Sequence, residues 1–264
     1  RGLHRRRGDR VGCGVKERPI LFSGPMVRAI LDGRKTQTRR IMRHQPRFIE
    51  SANTPHWRID CDHMSVPFDP ACESLLRSSL CHHFDGPAAP GDRLWVRESW
   101  RYHDWTEEGE PWIQYAADDA TAGPLTVSDD WTDRVTAAWE ALSAPENFAI
   151  DAAARDRKWR PSIFMPRWAS RLTLDVTAVR VERLQAISEA DARAEGVEPY
   201  TPPHGFISPD QRVPGVGFDD ARLGDQPHRL PFAHLWDDIN GDRASWESNP
   251  WVWVVEFTRA EVRK

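Results

Sequence analysis

The chain has 264 residues, four cysteines and a formal charge of −4, from 36 Lys and Arg against 40 Asp and Glu. This length suits one domain with a sizeable core, and no segment approaches the roughly 18 apolar residues of a membrane span. The cysteines are too few to staple the chain by disulfides. We expect a soluble, cytoplasmic protein with no cofactor and no membrane contact.

The near-neutral charge conceals two opposed segments. Residues 1–49 hold 14 basic and three acidic side chains, whereas residues 104–151 hold 12 acidic and one basic. Lysine is scarce, with four lysines against 32 arginines, and only lysine can become a neutral amine near pH 7. The composition therefore argues against non-specific coating of nucleic acid but allows a local basic site.

The first 17 residues are basic and aperiodic, which predicts a disordered arm; contact of this arm with nucleic-acid phosphates is the alternative. One domain is expected over residues 18–264. Residues 19–22 predict a short buried strand, and Pro25 marks the first turn of a helix that ends at Gly33. The chain then enters a polar segment, residues 34–40.

The middle of the chain holds strands separated by irregular segments. Residues 44–90 are Pro-rich and predicted to be irregular, while residues 94–96 and 113–117 are predicted strands. Residues 129–155 are acidic and Ala-bearing, which predicts a helix. Residues 171–181 predict a long, bulged strand because their apolar alternation changes phase.

The last third begins with a short predicted helix, residues 188–195, which Ser188 opens and Gly196 closes. A Pro/Gly-rich loop follows over residues 197–229, and a second helix starts at Pro231 with Ile239 on its apolar face.

Residues 251–257 are apolar on both faces, which predicts an interior strand. Many strands and few helices indicate an α+β fold, mainly β: a small barrel with flanking short helices. Its long loop insertions are predicted at about 44–90, 104–155 and 197–229.

The segment Gly33–Arg40 (GRKTQTRR) concentrates cations and hydroxyl groups directly after a helix end, where loops often place ligand contacts. One interpretation is an anion- or nucleotide-binding edge in which a desolvated Lys35 acts as a base. The other is a solvated, charged strand edge.

Three motifs together resemble the ASCH domain family of PUA-like β-barrels. They are the Gly-x-Lys-x-x-Thr-x-Arg run at Gly33, the Pro-Gly-Asp-x-Leu-Trp-Val-Arg-Glu run at Pro90, and the terminal strand at residues 251–257. With residues 165–184 and 187–197, the set is similar to the longer ASCH proteins found in phages and prophages. This resemblance implies a PUA-like ASCH barrel with a cleft for RNA, DNA or a modified nucleoside.

One ASCH branch is an N4-acetylcytidine amidohydrolase, and the resemblance implies its catalytic residues here. Lys35 and Thr38 match its lysine and threonine, and Glu195 matches its glutamate. Most ASCH domains have Glu where Thr38 stands. Amide hydrolysis needs a nucleophile, a base and an acid, which this trio supplies if the chain bends between Lys35 and Thr38, because an extended strand would place them on opposite faces.

Other side chains are candidates for holding the nucleoside or nucleic acid, because they combine cations with aromatic rings. They are Arg34, Arg39, Arg40, Arg97, Glu98, Trp100, Arg167 and Trp168. Arg40 or Arg97 would also stabilise an oxyanion. Glu98 has structural pairing with Arg93 or Arg97 as its alternative.

Three functions remain open from the sequence. The first is hydrolysis of an N4-acylated cytidine, and the second is RNA or DNA binding without chemistry, with nuclease activity as a variant. The third is a phage protein that binds a partner through its acidic segment, residues 104–151. A metal site at Cys61, His63, Cys72 and Cys81 is not expected, because their spacing fits no standard zinc motif.

Overall fold

A computed structural model describes residues 15–50, 56–61, 64–68, 86–106, 110–125, 158–200 and 227–260. These parts of the chain form an α+β structure made mainly of strands. The strands are β1 (Glu17–Leu21), β2 (Gln37–Ile41), β3 (Arg47–Ile49), β4 (His56–Cys61), β5 (Met64–Phe68), β6 (Arg93–Arg97), β7 (Trp100–Trp105), β8 (Pro111–Tyr115), β9 (Thr121–Ala122), β10 (Thr173–Arg183) and β11 (Trp251–Arg259).

The helices of the described residues are α1 (Gly24–Leu31), α2 (Glu189–Ala194) and α3 (Arg229–Asn240), with single 3₁₀ turns at Ser162–Phe164, Arg167–Ala169 and Leu184–Ala186. None of these helices is long and apolar enough to cross a membrane.

The main sheet has five strands in the order β1-β6-β10-β11-β2. Its β1–β6 pair is parallel, and its other three pairs are antiparallel. Two smaller sheets, β3-β4-β5 and β7-β8-β9, follow β2 and β6 in the chain. Within the described residues these sheets are open, with β1 and β2 at the edges of the largest one.

Strand β11 is predicted correctly as an interior strand. It lies between β10 and β2, and alternate side chains enter two different hydrophobic clusters. Val255 and Phe257 pack with Phe22 of the first cluster, whereas Val252 and Val254 pack under α3. Burying each such side chain contributes roughly 1.5–3 kcal/mol, which explains why both faces of this strand are apolar.

The bulge predicted in the long strand is also confirmed. The register of β10 against β11 shifts between Val176 and Ala178, where the apolar alternation changes phase. Helix α1 ends as predicted, because Gly33 adopts a φ of +73° that favours glycine.

Helix α2 has the predicted start and end. The Ser188 hydroxyl accepts a hydrogen bond from Asp191 N at 3.1 Å, which satisfies one of the free N–H groups of the first turn. Gly196 follows the helix with a φ of +81°. These local signals fix the length of α2 and therefore the position of Glu195 at its C-cap.

Some sequence predictions need correction. Part of the segment 44–90, predicted as irregular, forms β3, β4 and β5. Strand β1 begins at Glu17, inside the predicted arm, and Ile239 is 49% exposed rather than part of the apolar face of α3. The helix predicted at residues 129–155 lies outside the described residues.

Candidate functional site

Lys35 and Glu195 meet in the interior although 160 residues separate them. Lys35 Nζ lies 2.8 Å from Glu195 Oε2 and donates a second hydrogen bond of 2.8 Å to the Glu195 carbonyl oxygen. The two side chains are 0% and 4% exposed. The pair is therefore a desolvated lysine–carboxylate contact, in which charge is costly unless it is matched.

The backbone holds this pair in place through the turn after α2. Lys35 and Glu195 form an isolated antiparallel bridge, and Thr36 N donates to the Ala194 carbonyl at 2.9 Å. A Cβ on Gly196 would lie 2.7 Å from Lys35 Cβ and 2.8 Å from Ala29 Cβ. Glycine is required here by space as well as by its positive φ.

Arg39 completes the cluster on the other oxygen of the carboxylate. Its Nη1 donates to Glu195 Oε1 at 3.0 Å, and its Nη2 contacts Glu182 and lies 3.6 Å from Asp191. The Arg39 side chain is 1% exposed. The Arg39 guanidinium is therefore buried among carboxylates, and its contact with nucleic acid stays a prediction.

The sequence singles out neither Glu182 nor Asp191 as a partner of Arg39. Glu182 comes from β10 and Asp191 from α2, 143 and 152 residues along the chain from Arg39. No local pattern in the sequence indicates these partners, since each contact depends on how the main sheet and α2 pack together.

Thr38 lies within β2 and is also buried, with 1% exposure. Arg40 Nη1 donates to Thr38 Oγ1 at 3.0 Å. Lys35 precedes the strand, and its Nζ lies 5.6 Å from the centre of the Phe22 ring, over which Arg40 Cζ lies at 5.3 Å. Lys35 and Arg40 therefore border the same ring, although among the described residues no hydrogen bond joins Lys35 Nζ to Thr38 Oγ1.

Burial lowers the pKa of Lys35, because desolvation penalises its ammonium form. Glu195 opposes this effect, whereas the positive charges of Arg40 and Arg39 add to it. A lysine in this position is easier to deprotonate than one in water, which is the property that a general base requires.

Arg34 and Arg97 lie nearer the surface. Arg34 forms an ion pair with Glu198 at 2.8 Å and another with Asp32 at 3.1 Å. Arg97 Nη1 donates to the Ile163 carbonyl at 3.1 Å, and Arg97 Cζ lies 4.6 Å from the centre of the Trp95 ring. Arg34 and Arg97 are thus both held by neighbours rather than grouped around Lys35.

Glu98 belongs to a second buried cluster. Arg171 donates two parallel hydrogen bonds to it, of 2.9 and 3.0 Å, and two of 2.9 Å to Asp118. The guanidinium also stacks 4.0 Å from the centre of the Tyr115 ring. Glu98 is 1% exposed, so this arrangement is internal packing, and a ligand contact at Glu98 stays a prediction. Its structural partner is Arg171 rather than the expected Arg93 or Arg97.

The predicted aromatic contacts are partly internal as well. Trp100 is 2% exposed and packs edge to face on Tyr102 and on Trp168, with ring centres 5.2 and 6.1 Å apart. Trp100 is therefore part of the internal packing, and its stacking on a base stays a prediction. Trp168 is half-buried, and Arg167 is exposed and paired with Glu17 at 3.1 Å.

Among the residues with described side chains, no group of three or more His, Cys, Asp and Glu has the arrangement of a metal site. The side chains of Cys61, His63, Cys72 and Cys81 fall outside that set.

No protein-family model, curated protein or solved structure matches this chain. The geometry of the Lys35 cluster and its motif therefore carry the functional argument.

Proposed function

We propose that this chain is an ASCH-type protein with a PUA-like barrel, which binds an N4-acylated cytidine and hydrolyses its amide. The observation that carries the proposal is the 2.8 Å contact between Lys35 Nζ and the Glu195 carboxylate. The ASCH resemblance pairs these two residues independently of any contact between them. Their meeting in the interior is what an amidohydrolase of this kind requires.

Lys35 and Glu195 supply a base and an acid from one shared proton. Transfer of that proton from the ammonium to the carboxylate leaves a neutral amine and a carboxylic acid. The amine then takes the proton of the Thr38 hydroxyl as Thr38 Oγ1 bonds to the acyl carbon. The carboxylic acid of Glu195 donates its proton to N4 of cytidine as the C–N bond breaks.

The step leaves an ester on Thr38, which water hydrolyses to the free acid. Arg40 supports the attack, since its guanidinium donates to Thr38 Oγ1 at 3.0 Å and stabilises negative charge on that oxygen. Lys35 must turn from Glu195 toward Thr38 when substrate enters. Catalytic hydrogen bonds commonly tighten in this way only once substrate is bound.

The second candidate is binding of RNA or DNA without turnover. The burial of Lys35 and the engagement of both Glu195 oxygens favour it, because such a cluster can serve purely to hold β2 against α2. It predicts salt-sensitive retention of nucleic acid with no product formed.

The test is incubation of the purified full chain with N4-acetylcytidine, with cytidine followed by chromatography. We expect cytidine release by the wild type, and loss of release in Lys35→Ala and in Thr38→Val, which keeps the volume of the side chain but removes its hydroxyl. Circular dichroism shows whether each variant is folded.

The matched control is Lys158→Ala, since this lysine is exposed and far along the chain from the motif. No release by the wild type, or equal release by folded Lys35→Ala, contradicts the hydrolase. If Lys158→Ala loses cytidine release as completely as Lys35→Ala does, the result contradicts a specific role of Lys35.

A further inference from the structure

A strip of exposed apolar side chains and half-buried cationic side chains continues from the candidate site to the surface. It consists of Leu21, Arg40, Arg97, Ile163 and Phe164, here called the Phe164 strip. Phe164 is 70% exposed, Ile163 57% and Leu21 46%. Large apolar side chains that lie side by side at a surface commonly mark a contact with a ligand or partner.

Hydrogen bonds show that these residues are contiguous. Arg40 donates to Thr38 Oγ1 with Nη1 and to the Leu21 carbonyl with Nη2, each at 3.0 Å, so one guanidinium joins the candidate site to the strip. Leu21 is the register partner of Arg97 in the β1–β6 pair. Arg97 in turn donates to the Ile163 carbonyl at 3.1 Å, which places the Ser162–Phe164 turn beside it.

The charge of the strip is positive. Arg40 and Arg97 donate to carbonyl and hydroxyl oxygens, and among the described residues neither forms an ion pair with a carboxylate. By contrast, Arg39 and Arg171 are each neutralised by two carboxylates or more. Arg97 has no carboxylate partner among the described residues and lies beside the turn that carries the exposed Phe164. This combination fits a ligand that carries both phosphate and a flat base.

We propose that the Phe164 strip binds single-stranded nucleic acid next to the nucleotide that enters the candidate site, with Phe164 stacking on a neighbouring base and Arg97 contacting a phosphate. This rests on the proposed function only for the position of the modified nucleotide. It places the modified nucleotide within a strand, in addition to the free nucleoside that serves as the test substrate.

The experiment uses the full chain and two probes. One is free N4-acetylcytidine, and the other is a fluorescein-labelled cytidine octanucleotide that carries a single N4-acetylcytidine. Binding of the oligonucleotide is measured by fluorescence anisotropy, and cytidine release from the free nucleoside by chromatography.

Phe164→Ala is expected to weaken oligonucleotide binding about tenfold, since stacking of one base contributes roughly 1–3 kcal/mol. Phe164→Trp restores the affinity because it keeps an aromatic surface. Phe48→Ala, the same substitution at a 48% exposed phenylalanine of β3, leaves it unchanged. Release from the free nucleoside is the same in all three variants.

Arg97→Gln keeps a hydrogen-bond donor for the Ile163 carbonyl and removes the charge. We expect it to lower the slope of log affinity against log salt by about 0.7, the value for one phosphate contact with a single strand. An unchanged slope contradicts the assigned phosphate contact.

The two proposals fail separately. Oligonucleotide binding that is absent, or equal in Phe164→Ala and wild type, overturns the strip whether or not the nucleoside is hydrolysed. Oligonucleotide binding that depends on Phe164, without any hydrolysis of the nucleoside, supports the strip and contradicts the hydrolase.

Discussion

Glu195 and Glu98 are both buried carboxylates paired with cations, yet the two clusters are built differently. Glu98 receives both of its parallel hydrogen bonds from one guanidinium, that of Arg171. Glu195 divides its oxygens between the amine of Lys35 and the guanidinium of Arg39. Burial raises the pKa of Glu98 against the opposing effect of Arg171, and burial lowers the pKa of Lys35.

The difference lies in whether a proton can move. A guanidinium stays charged and binds carboxylates in a fixed, forked geometry. Arg171, just before β10, is therefore suited to holding this part of the chain against Glu98, which follows β6. An amine on a flexible stem can lose its proton and change position. The Glu195 cluster can therefore move a proton, as the proposed catalytic pair requires, whereas the Glu98 cluster is suited to a structural junction.

The largest expected effect is on cytidine release, and it is tested by making the same substitution at both carboxylates. Glu195→Gln should lower cytidine release by about 10²–10⁴-fold, the usual contribution of a general acid. Glu98→Gln should leave release per folded molecule unchanged. The measurement is the initial rate with N4-acetylcytidine, corrected for the folded fraction, and equal losses in both variants would erase the distinction between the clusters.

The second prediction concerns stability at the structural junction. Arg171→Ala should lower the free energy of unfolding by about 3–5 kcal/mol, because it leaves Glu98 buried without its cation. Urea denaturation gives the value. A loss below about 1 kcal/mol, as for an exposed ion pair, would mean that the Glu98 cluster is not the junction described.

The third prediction concerns a substitution that disturbs the packing of the Glu195 cluster alone. Gly196→Ala should cost about 1–3 kcal/mol from backbone strain alone, and displacement of Lys35 by the new methyl group should add to this and lower cytidine release. Gly91→Ala is the matched control, since its φ is +90° but no atom lies within 4 Å of the added Cβ. If both variants lose equal stability and keep full cytidine release, the close packing of Gly196 against Lys35 contributes neither to stability nor to cytidine release.

The local elements of the fold can be predicted from sequence because their signals lie within a few residues. The cap and terminal glycine of α2, the bulge in β10 and the two apolar faces of β11 are of this kind. By contrast, the sequence predicts a ligand contact for Arg39. It does not indicate the carboxylate partners of Arg39, because they lie more than 140 residues away in the chain.

The candidate site shows the same limit. The contact between Lys35 and Glu195 was expected from the ASCH resemblance, and residue spacing alone does not indicate it. No local pattern indicates the role of Arg171, because its partner Glu98 lies 73 residues away, directly after β6. Long-range ion pairs depend on sheet order, and neither hydrophobic periodicity nor turn signals determine that order here.

The smallest expected effect is the dependence of stability on pH. Lys35 has its ordinary pKa of 10.5 in the unfolded chain and a lower pKa in the folded protein. Between these two values the unfolded chain binds more protons, so the free energy of unfolding rises with pH, by about 1.4 kcal/mol for each pH unit that separates them. Below the folded pKa, Lys35 is charged in both states and contributes no slope.

The difference between wild type and Lys35→Met isolates this contribution, since other titrating groups are common to both. Urea denaturation at a series of pH values should show the free energy of unfolding of the wild type rising relative to that of Lys35→Met as the pH approaches 10.5. A difference that stays constant over this range would mean that the pKa of Lys35 is not lowered.

Lys35→Arg tests the central claim most directly, because it keeps the positive charge and a hydrogen bond to Glu195 but cannot form a neutral amine. The measurement is cytidine release from N4-acetylcytidine by the folded variant and by the wild type. If the Lys35–Glu195 pair is catalytic, the wild type releases cytidine and Lys35→Arg does not. Equal release by the two proteins would contradict a base at Lys35 and leave the cluster as a buried ion pair.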